Sequence, residues 1–597
     1  MRASKLVRVL LAGLLLIFVL AACGRGDGDD TTVAPDPDPG QNQQADTPAQ
    51  NIPEPDVEVI RQEDETIMAR LNAANPVSQA WPLTTTAGPH FSIMIQIGGA
   101  TVECIIDNEF TRWYQEQTGV EIDWQVVPSG MGDAAQLRIA SGDLPCAFVG
   151  GLGNILIQEL AMLDGVLVPL TDYIFDYAPN IVNMLQTTSQ ARDMSFLPDG
   201  EIYSLLRVYD TLNEQITKRA WVYYPWLDLL EMDLPTTTEE FYDMLVRFRD
   251  EIPALIGVPE VVPMAGALQG NPANNEPTSF IMNSFVFYPR PNNMMRQDGV
   301  VSFVANTEGY REGLRFMRRL VESNLLTTET WTINRGGLMA MTEGQAHGQN
   351  ILGVATAMYW GHFTTEGGPL GRDTSFISIP VLEGPQGVRY AYDRGMLVNN
   401  GFLTVTSAAQ NVDLLVQWMD WLYCPFGQAE YGMMAKLGPE GVGWRHAEPG
   451  ELTPFGEQAY FAFLRPNDVR QSDAWFNAMG YFWPYEFVNG IVDDFYNRKE
   501  SFGGQETYRN YLPFSAFHLR MPMMYVPFHL LEEFARLSDT LTHVSNGEVM
   551  LHQTRFIMGE LCLDDDWDDY LATLERLGVD RLVEIWQYKY DQYRAMQ

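Results

Sequence analysis

The chain has 597 residues, 46% of them hydrophobic and 12% aromatic, enough for a large buried core and more than one folded body. Lys and Arg total 38 against 77 Asp and Glu, a formal charge of -39, which argues against nucleic acid as a partner because phosphate binding needs clustered cations. The same excess disfavours, more weakly, a polyanionic ligand, while a local basic pocket stays compatible with it.

The N-terminus carries Arg2, Lys5 and Arg8, then the apolar run from Val9 to Leu20 and two small residues, Ala21 and Ala22. That order reads as a secretory signal peptide, expected over residues 1–22. The run falls short of the ~20 apolar residues that span a bilayer. Leu20-Ala21-Ala22-Cys23 resembles a bacterial lipobox, in which the cysteine receives a diacylglyceryl group and becomes the first mature residue. The bland alternative is an ordinary signal peptide with a chance cysteine. With Cys23 as the lipidation site, the rest of the chain is expected on the extracellular face of the cytoplasmic membrane, held by its lipid anchor. Residues 24 to about 65 are rich in Gly, Pro, Asp and Gln and too poor in bulky apolar groups to fold, so 23–87 is expected as a disordered tether. The other cysteines, Cys104, Cys146, Cys424 and Cys562, form no CxxC pair, so no structural zinc is expected, and they read as buried free thiols.

The folded part is expected from about residue 88. His90 to Gly99 reads as a strand ending in glycines. Ile106, Phe110 and Trp113 then fall on one helical face, closed by Thr118-Gly119. Val120, Ile122, Trp124 and Val126 alternate with polar residues, the period of a half-buried strand, and Trp124 is expected in the core. A short helix around Asp133–Ala140 and the apolar "CAFVG" follow. Further on, Arg219 to Tyr224 reads as a strand. Thr237 and Glu240 stand at capping-box spacing before a helix that buries Phe241, Leu245 and Phe248. Tyr310, Leu314 and Met317 mark another helix, and Val412, Leu415, Met419 and Leu422 one more. Strands alternating with helices predict an α/β fold with mostly parallel sheets, and no fixed short repeat suggests a solenoid.

Several segments taken together resemble family 1 extracellular solute-binding proteins, the carbohydrate-binding lipoproteins of bacterial ABC importers. They are "NEFTRWYQEQTGVEIDWQVVPSG" with "DAAQLRIASGDLPCAFVGG", "PDGEIYSL" at 198–205, "VYYPWLDLLEMDLPTTTEEFYDML" at 222–245 and "NTEGYREGLRFM" at 306–317. The C-terminal "WDDYLATLERLGVDRLVEIWQYKYDQYR" is similar to the ending of the long oligosaccharide-binding members from Gram-positive bacteria. Cys146 departs from the family's pattern, which often has Asp after "GDLP". The resemblance implies two lobes, each a mostly parallel sheet flanked by helices, joined by a multi-segment hinge. The expected division is 88–205 plus about 355–410 for lobe 1 and about 206–354 plus 411–545 for lobe 2, with 546–597 as a C-terminal helical segment.

The resemblance also implies a function. A monomeric binding protein would take an oligosaccharide between its lobes and deliver it to ABC permease subunits; no cofactor is expected, and no metal-ligand motif is read from the sequence. Sugars offer apolar faces to aromatic rings and hydroxyls to polar groups. On that chemistry and the positions that match the family, the candidate ligand-binding residues are Tyr223, Trp226, Trp360, Phe363, Arg207, Tyr209 and Arg394. The glycine-rich "GGATVE" and "GGLGN" loops are candidates for backbone contacts. Trp226 fits cleft and core equally, Trp360 beside Gly361 and His362 favours the cleft, His362 reads as a satisfied polar group, and Arg394 beside Asp393 reads equally as a surface pair. Two alternatives remain at this point. One is a secreted carbohydrate-active enzyme, although no GxSxG, HExxH, P-loop or GxGxxG occurs. The other is a ligand-sensing lipoprotein serving a membrane sensor. The acidic run Asp564 to Asp569 reads as a solvated helix start.

Overall fold

The computed structural model describes residues 67–77, 90–97, 104–269, 275–344, 349–365, 372–424, 431–464, 472–475, 477–492 and 505–596, all within one unit, Pro53–Gln597. The signal peptide, Cys23, the "GGATVE" loop and most of the expected tether lie outside these residues. Ile67–Val77, assigned by sequence to the tether, instead packs on the first lobe. Leu71 is fully buried, Met68 lies against the same core, and Arg70 reaches Asp172 at 2.8 Å.

The first strands are β1 (His90–Gln96), β2 (Glu121–Val127), β3 (Ala147–Val149) and β4 (Ser204–Tyr209). Between β1 and β2, Asn108 accepts the N–H of Phe110 and starts the helix Glu109–Thr118, which Gly119 ends in a left-handed turn at φ 68. Its buried side is Phe110, Thr111, Tyr114 and Thr118. Ile106, expected on that face, stands before the helix starts and is 57% exposed, so the helical spacing does not apply to it. Trp124 is buried as expected, while Val126 emerges on β2, the edge strand.

The chain then crosses to a second sheet, β5 (Ala220–Tyr223) and β6 (Val262–Ala265), makes a two-stranded ribbon, β7 (Met294–Gln297) and β8 (Val300–Phe303), and returns to the second sheet for β9 (Leu352–Thr356) and β10 (Phe376–Ser378). The capping box of Thr237 and Glu240 forms, and the helix Thr238–Ile256 buries Phe241, Leu245 and Phe248 beside this sheet. A second crossing leads to β11 (Leu397–Val405), a small ribbon of β12 (Trp444–His446) and β13 (Phe461–Phe463), and β14 (Phe482–Trp483).

The first sheet has the order β14-β4-β11-β3-β1-β2 and the second β10-β5-β9-β6. Each is mostly parallel, with one reversed strand, β11 in the first and β5 in the second. Those are the two strands entered directly from the other lobe. A strand reached without a returning crossover on its own sheet is free to run against its neighbours, and here both do.

This pairing moves the lobe boundaries. Ala355 and Thr356 of β9 and Phe376–Ser378 of β10, expected in lobe 1, belong to the second sheet. The helix Val412–Asp420, expected in lobe 2, buries Leu415, Trp418 and Met419 in the core of the first sheet, and β14 joins that sheet too. An amphipathic stripe states that a helix is covered, not which sheet covers it.

The crossing segments are clipped together. Arg394 donates to the carbonyl and the carboxylate of Glu214, and its own N–H donates to Gln215 at 2.9 Å. The C-terminal helices dock on the second lobe side: Tyr570 Oη donates to Ala305 O at 3.0 Å and Gln587 accepts Val301 N–H at 2.7 Å. The acidic run is a helix start, with Asp568 and Asp569 in the first turn of Trp567–Arg576 and Asp564 paired to Arg315 at 2.8 Å. The four cysteines are free thiols, each partly exposed rather than buried.

Candidate functional site

A cavity of about 580 Å³ opens at the carboxyl edge of the first sheet. Gln96 ends β1, Gly150 to Asn154 follow β3, Arg207 comes from β4, Val398, Asn399, Asn400 and Phe402 from the reversed β11, and Asn477 from the segment before β14. Five of the six strands point their carboxyl ends here, the edge where open α/β sheets hold ligands, and both crossings to the second sheet leave or enter at it.

The "GGLGN" loop lines this wall. Gly151 has φ 77, and a Cβ there would run into Gln96 and Met131, so the loop requires glycine. Gly401 has φ 85 and lies so close to Leu152 O that a Cβ would stand 2.8 Å from it, while its carbonyl accepts Gly150 N–H at 2.6 Å. The helix Asn154–Ala161 begins at the wall, so its unpaired first-turn N–H groups belong to the lining segment.

Arg207 lies across the ring of Phe402 at 4.5 Å and donates through Nη1 to Asn477 O at 3.0 Å. Behind it runs a hydrogen-bond chain with fixed polarity. Lys436 has only protons to give, and its Nζ donates to Tyr481 Oη at 2.8 Å. The tyrosine proton therefore goes to Asn477 Oδ1 at 2.9 Å. Lys436 itself is buried, 4.1 Å from each of the rings of Tyr209, Tyr481 and Trp483.

Of the candidate residues, Arg207 alone lines the cavity. Tyr209 is a wall of the Lys436 cage, so it supports the site from behind. Arg394 serves the clip between crossings and pairs with Glu214, not Asp393. Tyr223 is half-buried against Trp226 at 5.8 Å and Phe376 at 5.2 Å. It ends β5, and because β5 is reversed, that end lies at the edge opposite the carboxyl ends of β6, β9 and β10. Expecting a ligand contact beyond this strand presumed the wrong direction for it. Trp226 is core, edge-on to Phe248 at 5.3 Å. Trp360 and Phe363 have no exposed surface, packed on Trp221 at 5.4 Å and Phe376 at 4.9 Å. His362 is a satisfied polar group, 2.7 Å from Asn275 Oδ1.

Sequence reasoning missed Gln96, Asn399, Asn400, Phe402 and Asn477. "NNG" at 399–401 has the composition of a turn, yet it lies inside β11, where the pairing with β4 slips between Asn399 and Leu403. Asn477 stands 270 positions from Arg207, and no local pattern announces that contact.

No family model matches the chain. It is 25% identical over 502 residues to the fructooligosaccharide ABC transporter substrate-binding protein FusA of Streptococcus pneumoniae serotype 4, covering 81% of this chain and 86% of that protein. The structure of S. pneumoniae FusA in complex with kestose superposes with a TM-score of 0.70 at 22% identity, over 85% of this chain and 100% of that one. A solute-binding protein described as binding HMO, associated with an ABC transporter of Bifidobacterium longum infantis, superposes at 0.67 with 18% identity, over 85% and 99%. The chain is thus similar, along four fifths of its sequence and across both lobes of its fold, to the oligosaccharide-binding proteins of bacterial ABC importers.

Proposed function

We propose that this chain is the substrate-binding lipoprotein of an ABC importer, which captures an oligosaccharide at the carboxyl edge of its first sheet and passes it, unaltered, to permease subunits. The observation that carries this reading is the cavity of about 580 Å³. Besides Leu152 and Val398, its wall is made of amides, glycines, one arginine and one phenyl ring, groups that hydrogen-bond and stack. The likeness to FusA over most of both chains supports the same reading. Cys23 is the proposed anchor and the chain acts as a monomer on the outer face of the membrane.

Thermal-shift screening of the chain against an oligosaccharide panel tests it. A bound ligand at a hundredfold excess over Kd adds about 2.7 kcal/mol to stability, so a clear rise in Tm is expected with at least one oligosaccharide. A flat response across the panel contradicts the reading. So does the appearance of cleaved sugar after long incubation, which would mark a hydrolase.

A further inference from the structure

The hydrogen-bond polarity of the cavity wall allows its ligand to be narrowed. Gln96 Oε1 accepts Met131 N–H at 3.0 Å and Asn400 Oδ1 accepts Gly401 N–H at 2.9 Å. A backbone N–H can only donate, so both amides are oriented without ambiguity. Asn477 Oδ1 is likewise occupied by the proton that Lys436 forces forward through Tyr481. Each of these three amide oxygens already holds one protein proton and keeps one lone pair. The NH2 groups of Gln96 and Asn477 remain as donors, whereas that of Asn400 is used by Tyr525 Oη. Arg207 adds more: Nη1 serves Asn477 O, and Nε is buried with no protein partner. Its charge meets no carboxylate among the described residues, although the chain carries 77 acidic side chains.

A neutral sugar hydroxyl both gives and takes hydrogen bonds. Asn154 and Asn399 add amides that can do the same, so what sets this wall apart is a guanidinium with no opposite charge beside it among the described residues. The group complementary to that guanidinium takes only and carries a negative charge. Planar, forked guanidinium donors match a carboxylate in two parallel bonds. The overall charge of -39 bounds the other side of the argument, since it repels a chain bearing many charges.

We propose that the oligosaccharide recognised here bears a carboxylate, on a uronic acid or a comparable acidic sugar, seated on Arg207 with Gln96 and Asn477 as flanking donors. This rests on the oligosaccharide-binding reading above. Asn399 is the direct cross-strand partner of Arg207 on β11, so an acid introduced there would supply internally what the ligand supplies.

The test is calorimetric titration with uronate-containing oligosaccharides (oligogalacturonides, mannuronate and guluronate oligomers, glucuronate-bearing xylo-oligosaccharides), each paired with its carboxyl-reduced form, alongside neutral fructo- and gluco-oligosaccharides. At least one acid is expected to bind about tenfold or more tightly than its reduced partner, with affinity falling as salt rises. Arg207→Gln and Asn399→Asp should each remove that difference while circular dichroism and Tm show a folded protein. Arg207→Lys should restore part of it. Neutral oligosaccharides binding as well as or better than every acid would overturn the carboxylate proposal and leave oligosaccharide capture standing. Binding of neither class would overturn both.

Discussion

Asp420 ends the helix Val412–Asp420, yet its work is done on another helix. Its carboxylate accepts Ile181 N–H at 2.8 Å and Asn180 N–H at 3.3 Å, the unpaired donors at the start of Pro179–Thr187. Those bonds favour the charged form, but burial outweighs them and pushes its pKa up to about 7 from 3.8. A carboxyl raised on folding binds its proton more tightly in the native state. Its contribution to stability is therefore complete below the unfolded value and is lost as pH rises through about 7. Denaturant unfolding of the wild type and Asp420→Asn at about pH 4 and 7.5 should show the wild type losing ground to the variant at the higher pH; an unchanged difference would refute this. Tyr481→Phe makes a second test at this scale. It cuts the chain from Lys436 to Asn477 and releases the Asn477 amide to turn, so ligand affinity should drop about tenfold in titration calorimetry, together with a fall in Tm because the buried Lys436 loses an acceptor. Neither Asp420 nor Asn477 was legible in the sequence, because each acts on residues more than two hundred positions away. Arg207 was found through a resemblance that placed it near a crossing between lobes.

At the scale of elements, what is encoded locally was readable and what depends on strand direction was not. Thr237 and Glu240 announced their helix by spacing alone, and the capping box is present; Thr237→Ala should cost about 1 kcal/mol in unfolding free energy, checked by denaturant titration. The stripes of Tyr310, Leu314 and Met317, and of Val412, Leu415 and Met419, are buried as their period required. By contrast, β5 reads as a strand from its residues, but nothing in "AWVY" says that it runs against its neighbours. That reversal puts Tyr223 and Trp226 at the edge opposite the carboxyl ends of β6, β9 and β10. Trp360 does follow β9 at the correct edge, and its burial on Trp221 makes it core. Trp360→Ala should therefore lower stability by about 3–5 kcal/mol, the range for a buried aromatic, with ligand affinity kept wherever the variant still folds. A variant of native Tm that no longer binds would return Trp360 to the site.

For the whole molecule, the two reversed strands and the two clipped crossings have one consequence. The cavity sits at the edge of the first sheet from which the chain passes to the second, so a ligand held there lies beside the segments that join the lobes. Arg207 lies on the strand that leads into the first crossing, so the proposed ligand contact there would bear on that junction. The most direct measurement is titration calorimetry of an oligosaccharide found by thermal shift against the wild type, Arg207→Gln and Tyr223→Ala, with chromatography of the sugar afterwards. Capture at the first-sheet cavity predicts one saturable site, intact sugar, affinity reduced about tenfold or more in Arg207→Gln and unchanged in Tyr223→Ala. Affinity lost in Tyr223→Ala but kept in Arg207→Gln, or sugar recovered in pieces, would contradict it.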